Sequence, residues 1–96
     1  MITAEEKVLR APVVVNAAAA TAAGTSVTIP LNGSDADNNT LTFRIVSQPA
    51  HGRVALNSQT AIYYPDSDFA GPDSFTFAAW DGSIQSNLGT ISVNVA

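Results

Sequence analysis

The stretch DSFTFAAW, residues 73 to 80, alternates in side-chain character along the length of a β-strand. Successive side chains of a strand point to opposite faces of the sheet, so Phe75, Phe77 and Ala79 share one face. The residues between them share the other face with Trp80. The stretch therefore predicts a strand that buries its aromatic face in a core and turns Trp80 outwards.

The same two-residue period recurs on both sides of this stretch. It is interrupted by clusters of Gly, Pro, Asn, Asp and Ser, which favour turns. Short apolar runs with this spacing are typical of an all-β sandwich. We predict about seven strands, at 11–16, 25–31, 41–47, 53–56, 60–65, 73–80 and 88–95. Their apolar faces are marked by Val27, Ile29 and Leu31; Leu41, Phe43 and Ile45; Val54 and Leu56; Ile62 and Tyr64; Phe75, Phe77 and Ala79; and Ile91, Val93 and Val95.

An alanine-rich run, residues 17 to 25, lies between the first two predicted strands. Alanine favours helix, but this run has no apolar stripe and contains a glycine near its end. We therefore expect a loosely extended segment that crosses between strands. Residues 1 to 10 are polar and lack a strand period, which predicts a linker ahead of one domain at 11–96. The chain is expected to be a piece of a longer protein.

Composition excludes several classes of function. The net charge is −4 and the four basic residues are scattered, which argues against nucleic acid as a partner. The absence of cysteine excludes disulfides, a thiol nucleophile and a Cys-ligated zinc. No apolar run is long enough for insertion into a membrane. The sequence shows no nucleophile–base pair, phosphate-binding glycine loop or metal-hydrolase motif, so we expect no catalysis.

The order of the strands predicts which loops meet. When consecutive strands run up and down, their loops alternate between the two ends of the sandwich. The loops at 32–40, 57–59 and 81–87 then share the end where the chain enters, which we call the N-terminal end. The loops at 48–52 and 66–72 lie at the opposite, C-terminal end, beside the last residue.

Oxygen-bearing side chains are crowded at the N-terminal end. The predicted set is Asp35, Asp37, Asn39 and Asp81, and Asn16 of the first strand can approach it. Such hard oxygen ligands suit Ca²⁺, although the loop has neither the glycine nor the glutamate of an EF-hand. The alternative is structural, since Asp and Asn also form the side-chain hydrogen bonds of ordinary turns. The residues alone leave both possibilities open.

Three segments together resemble a known family: NGSDADNNTLTFRIVSQPAHGRVAL, YYPDSDFAGPDSFTFAAWDG and ISVNV. They are similar to the cadherin-like, immunoglobulin-like repeats of bacterial surface proteins and large adhesins, and the match covers residues 11 to 96. The resemblance implies a Greek-key β-sandwich that occurs in tandem arrays, outside the cell or at its surface. Its partners would be adjacent domains of the same polypeptide.

The resemblance also implies Ca²⁺ at the domain junctions, held here by Asp35, Asp37, Asn39 and Asp81. Added Ca²⁺ would then raise the melting temperature. The chain departs from the family pattern in two places. PVVVNAAA stands where an acidic pair often occurs, and Asn39 stands at the third acidic position. Both changes remove charge, which generally weakens calcium binding.

Other residues carry expectations of their own. Trp80 faces outwards beside the loops, so it can stack on a sugar ring or pack against a neighbouring domain. Asp73 is expected to accept backbone N–H bonds, and Tyr63 or Tyr64 to close a corner of the sandwich. His51 lies on a predicted turn without a catalytic partner, which indicates a structural role.

Gly52, after the histidine, is expected to supply a positive φ.

The favoured function is a non-enzymatic structural or adhesion module of an extracellular or cell-surface bacterial protein. The alternative is a carbohydrate-binding accessory domain of a secreted polysaccharide-degrading enzyme. In that case Trp80 would contact the carbohydrate or another cell-surface ligand.

Overall fold

The computed structural model describes residues 10 to 96, which form nine short β-strands. They are β1 (Val13–Val14), β2 (Ala17–Thr21), β3 (Val27–Pro30), β4 (Gly33–Ser34), β5 (Thr42–Ser47), β6 (Gly52–Asn57), β7 (Thr60–Pro65), β8 (Gly71–Trp80) and β9 (Gly89–Val95). Within this range no helix is long and apolar enough to cross a membrane. The linker predicted at residues 1 to 10 lies outside the described residues, except for Arg10.

The strands form two main sheets. One contains four strands in the order β2-β9-β8-β5, and the other contains three in the order β3-β7-β6. β1 and β4 form a separate pair of two residues each. Neighbouring strands are antiparallel except β2 and β9, which run parallel. The predicted all-β sandwich is confirmed, with β8 and β9 at the centre of the larger sheet.

The core lies between the two sheets. Phe75 and Phe77 of β8 are buried in it, as the alternation predicts, and the ring of Phe77 packs on that of Phe43 with centroids 6.3 Å apart. Gly89 stands opposite Phe77, and a Cβ there would lie 2.6 Å from the Phe77 ring. Only glycine therefore fits at this position. The other buried apolar residues of the cluster come from both sheets and from β1: Val14, Ile29, Leu31, Val54, Ala61, Tyr63, Ala79, Ile91, Val93 and Val95.

The alanine-rich run forms a regular strand rather than a loosely extended segment, which corrects the expectation from sequence. β2 pairs in parallel with β9 along all five of its residues. Ala17 and Ala19 pack against the core, whereas Ala18 and Ala20 are exposed. The alternation leaves no trace in the sequence because alanine occupies both faces. The strand predicted at 11–16 is reduced to the two residues of β1.

The inward face of β7 is opposite to the predicted one. Ala61 and Tyr63 are fully buried, whereas Ile62 and Tyr64 lie on the outer face. The pairing with β3 explains the difference. Residues directly opposite each other share a face, and Tyr63 stands opposite Val27, which packs against the core.

Hydrogen bonds show which loops meet at each end of the sandwich. At the N-terminal end, the β6–β7 turn bonds to Leu31 and the β8–β9 loop bonds to Val14. At the C-terminal end, the amide of Asp66 donates to the carbonyl of His51, which joins the β7–β8 loop to the β5–β6 turn. The predicted grouping of the loops is therefore observed.

Candidate functional site at the N-terminal end

The N-terminal end brings together the loops that follow β4, β6 and β8. Thr42 pairs with Trp80, which places the end of the β4–β5 loop beside the start of the β8–β9 loop. Asn87, in the β8–β9 loop, forms two hydrogen bonds to Val14, at 2.9 Å and 3.1 Å. Whether this end can bind a cation depends on which hydrogen bonds and ion pairs the side-chain oxygen atoms of these loops already form.

Asp35 braces the β4–β5 loop from within. Its Oδ2 accepts the Asn39 amide at 2.6 Å, and its Oδ1 accepts the Asp37 amide at 3.4 Å. Its carbonyl accepts the Asn38 amide at 3.0 Å. Asn38 has a φ of 60°, in the left-handed region that Asn adopts more readily than most residues. The Asp35 carboxylate is therefore the internal support of a tight turn.

Asp37 is paired with the chain that enters the domain. The Nη2 atom of Arg10 lies 2.5 Å from Oδ1 of Asp37, and the Arg10 side chain is 59% exposed. An exposed ion pair of this kind contributes only about 0.2–1 kcal/mol to stability. The pair does, however, attach residue 10 to the β4–β5 loop.

Asp81 braces the β8–β9 loop in the same way as Asp35 braces its own loop. Its Oδ1 accepts the amides of Ser83 and Ile84, both at 2.8 Å. Gly82, between Asp81 and Ser83, has a φ of 101°, which favours glycine. The Asp-Gly pair therefore forms a turn, as the structural alternative predicts.

The four predicted ligands fit a cation poorly as they are placed. Ca²⁺ takes about six to eight oxygen ligands, but the carboxylates of Asp35 and Asp81 already accept backbone N–H groups and Asp37 faces a guanidinium. Between residues 10 and 96, no three Asp, Glu, His or Cys side chains form a group that could hold a metal. A cation bound by all four residues would compete with Arg10 for Asp37 and with loop amides for Asp35 and Asp81. Calcium binding stays a prediction.

Trp80 is the exposed aromatic residue of this end, and its predicted outward orientation is confirmed by an exposed fraction of 43%. Arg44 lies on the same outer face, opposite Ala78. Its Nε and Nη2 atoms donate to Oε1 of Gln85, at 3.1 Å and 2.6 Å. Gln85 in turn forms a backbone bridge with Trp80. The guanidinium is therefore held against the β8–β9 loop, next to the end of β8 that carries the indole.

Side-chain amides fasten both ends of the sandwich. Asn16 accepts the Thr90 amide at 2.8 Å, which gives it a structural role between the first strands and β9. Asn87 holds β1, and Gln48 forms a matching pair of bonds, at 2.8 Å and 3.2 Å, with the amide and carbonyl of Val54 on the edge strand β6. The role of Asn87 has no sequence signal, because this residue belongs to no local capping motif, whereas Gln48 belongs to the QPAHG stretch of the family resemblance.

The buried carboxylate of the domain lies at the C-terminal end. Asp73 accepts the amides of Ala50, His51 and Ser74, at 3.1, 3.1 and 2.9 Å, and the hydroxyl of Tyr63 at 2.7 Å. The predicted brace at Asp73 is therefore confirmed, and Tyr63 is the tyrosine that closes the corner. Burial, and then the hydrogen bond to Asp73, raise the pKa of Tyr63 well above its ordinary value.

The β5–β6 turn is held by packing. The ring of His51 stacks on Phe69 with centroids 4.2 Å apart and an angle of 4° between the planes, in accord with a structural role. Gly52 does not have the positive φ expected from sequence. Glycine is required there for another reason, because a Cβ would lie 2.5 Å from the carbonyl oxygen of Tyr64.

A four-stranded and a three-stranded sheet around one core, with the last strand beside the second, define an immunoglobulin-type β-sandwich. Residues 10–94 match the family model of the bacterial Ig domain, and the chain belongs to this family. No curated protein shows a significant match. Among solved structures, the chain is similar to the crystal structure of the titin M3 domain, with 14% identity and a TM-score of 0.43 over 88% of this chain and 95% of that chain.

Proposed function

We propose that this domain is a non-enzymatic spacer module of a larger extracellular or cell-surface protein, and that it carries tension between adjacent domains of the same polypeptide. The bacterial Ig domain is a non-catalytic domain type that commonly occurs in surface or extracellular proteins. The observation that carries the proposal is the parallel pairing of β2 with β9. β2 is the second strand of the domain and β9 is its last, so this pairing joins the first part of the chain to the last part.

The chain enters and leaves the sandwich at opposite ends. β1 lies beside Asn87 at the N-terminal end. β9 starts at that end and finishes at the other, where the amide of Ala96 donates to the carbonyl of Thr21. The seven residues of β9 span roughly 23 Å at the usual rise of a strand. A pull on residues 10 and 96 therefore acts along the strands.

Such a pull loads the β2–β9 ladder in shear. β2 is drawn towards the N-terminal end and β9 towards the C-terminal end, while their hydrogen bonds run across this direction. All the bonds of the ladder then resist together, whereas the bonds of a hairpin that is peeled open break one after another. The β1–β4 pair is only two residues long and lies ahead of the ladder, so it would yield first.

Matched proline substitutions test this force path. Ala20 and Ala55 are exposed alanines on the edge strands β2 and β6. Proline removes a backbone donor and is disfavoured inside a strand. When single molecules are stretched from their two termini, we expect Ala20→Pro to lower the unfolding force much more than Ala55→Pro, even if both variants lose similar equilibrium stability.

Glycine gives a milder matched pair in case a proline variant does not fold. Ala20→Gly and Ala55→Gly should each cost about 0.5–1 kcal/mol of stability, and again only the change in β2 should lower the unfolding force. Equal losses of force at the two positions would contradict the proposal, because tension would then not pass through β2.

A further inference from the structure

Exposed apolar side chains are concentrated at the N-terminal end. Between residues 10 and 96, seven large apolar or aromatic side chains are exposed. Val46 and Tyr64 lie towards the C-terminal end. The other five surround the N-terminal end, and we call them the apolar rim: Val13, Val15, Leu56, Trp80 and Leu88.

The strand pairing connects the members of the rim. Leu88 directly precedes Gly89, which stands opposite Phe77 in β8, the strand that ends at Trp80. Val13 and Val15 flank Val14, whose amide and carbonyl form hydrogen bonds with Asn87. Asn87 is the residue that directly precedes Leu88. On the side of β8 away from β9, Trp80 stands opposite Thr42 of β5 in the strand pairing.

Thr42 lines a surface cleft that continues the rim. The cleft has a volume of about 310 Å³ and is formed by Leu41, Thr42, Phe43, Leu56 and Ser58. Leu56, which the alternation assigned to the core face, is 38% exposed at its edge. The rim therefore extends from β1 past Leu88 and Trp80 towards this cleft, which lies between residues of β5 and β6.

The size of the rim indicates which kind of partner it fits. Its five residues expose on the order of 400 Å² of surface, which is the size of the largest apolar patch on a typical soluble monomer, and such patches are often functional. A stable complex between free proteins buries about 1,200–2,000 Å² in total. Domains within one chain use roughly 600–1,500 Å², because the linker supplies a high effective concentration. The rim matches a tethered partner better than a free one.

The position of the rim indicates where that partner is attached. Val13 belongs to β1, the first strand after Arg10, and Val15 directly follows this strand. Arg10 is itself bonded to the β4–β5 loop. Residue 10, through which a preceding domain would be joined to this one, therefore lies three positions ahead of Val13 in the chain. We propose that the apolar rim is the docking surface for the domain that precedes this one in the same polypeptide. This inference rests on the proposed role as a module of a longer protein.

Quenching of Trp80 fluorescence tests the proposal in the longer natural polypeptide. Trp80 is the only tryptophan of this chain, and tryptophans of the preceding domain are replaced by Phe. We expect acrylamide to quench Trp80 freely in the 96-residue chain and far less in the longer polypeptide. Leu88→Ser and Val15→Ser should restore quenching there, whereas the matched controls Tyr64→Ser and Val46→Ser, at the other end, should not.

Three results would overturn the inference. Equal quenching in the short and long chains would show that nothing covers the rim. Concentration-dependent dimers of the 96-residue chain that Leu88→Ser abolishes would assign the rim to a second copy. Protection of Trp80 by soluble oligosaccharides would assign it to a carbohydrate. None of these results changes the unfolding force of Ala20→Pro, so failure of the docking surface and failure of the force-bearing role are distinguishable.

Discussion

The hydroxyl of Tyr63 donates to Oδ2 of Asp73 at 2.7 Å in the interior of the C-terminal end. The same carboxylate accepts the amides of Ala50 and His51 from the β5–β6 turn. One side chain thereby joins β7, β8 and the turn between β5 and β6. We expect this junction to be the most sensitive polar position of the domain.

Asp73→Asn should destabilise the domain by about 3 kcal/mol. Asparagine has one acceptor oxygen and an NH₂ group that only donates, so at least one buried donor would lose its partner. Urea denaturation measures the loss. Asp68→Asn, an exposed carboxylate of the neighbouring loop, should change stability by no more than about 0.5 kcal/mol. Similar effects at the two positions would show that the buried junction is unimportant.

The stability of the domain should fall in alkaline solution. Burial and the bond to Asp73 raise the pKa of Tyr63 in the folded state above the ordinary value near 10. At pH values below about 10, this difference in pKa makes its full contribution to the stability of the folded state. As the pH rises further, the unfolded chain loses the proton first, so stability decreases by up to about 1.4 kcal/mol per pH unit. Denaturant titrations between about pH 8 and pH 11.5 measure the slope.

Two conservative variants test whether the ionisation of Tyr63 causes this loss of stability with rising pH. Tyr63→Phe should be less stable at neutral pH but should lose most of the alkaline decrease. Tyr64→Phe removes the hydroxyl of an exposed tyrosine and should keep the wild-type slope. An unchanged slope in Tyr63→Phe would mean that a different group titrates.

Asn87→Asp should weaken the attachment of β1 to the β8–β9 loop. The substitution replaces the NH₂ group that donates to the Val14 carbonyl with a charged oxygen that repels it. We expect a loss of about 1–3 kcal/mol and faster hydrogen exchange of the Val14 amide. Asn94→Asp, on the exposed face of β9, is the matched control. Unaltered exchange at Val14 would show that the amide bonds do not hold β1.

With the loops arranged as they are, millimolar Ca²⁺ should leave the melting temperature unchanged, and the calcium binding implied by the family resemblance would require the loops to rearrange. The oxygens of Asp35 and Asp81 are engaged by backbone amides, and Asp37 is paired with Arg10. Thermal melts with Ca²⁺ and with a chelator test this expectation. A rise with Ca²⁺ that the chelator reverses, and that Asp37→Asn removes, would show that the loop rearranges around the ion as the family resemblance implies.

The fold was largely predictable because strand alternation is a local signal. Phe75 and Phe77, together with Ile91 and Val93, mark inward faces that the structure confirms. The signal fails where both faces carry similar residues. All-alanine positions conceal the alternation of β2. In β7, Tyr63 and Tyr64 are adjacent, and only the pairing with β3 and the reach to Asp73 decide which one is buried.

The site was predictable only in part, because side-chain chemistry does not specify the partner. Asp and Asn in a loop can bind a cation or brace a turn, and Asp35 and Asp81 brace their own loops here. The role of Asn87 could not be identified in advance. Asn87 bonds to Val14, 73 positions away, so its role exists only once the sheets have assembled.

The force-bearing role is tested most directly by changing the direction of pulling on one molecule. The chain has no cysteine, so Asn57→Cys and Ser83→Cys provide handles at two exposed positions of the N-terminal end. Pulling there peels the sheets apart, whereas pulling from the termini shears the β2–β9 ladder. At equal loading rate, we predict a clearly higher unfolding force from the termini. An equal or lower force would contradict the account.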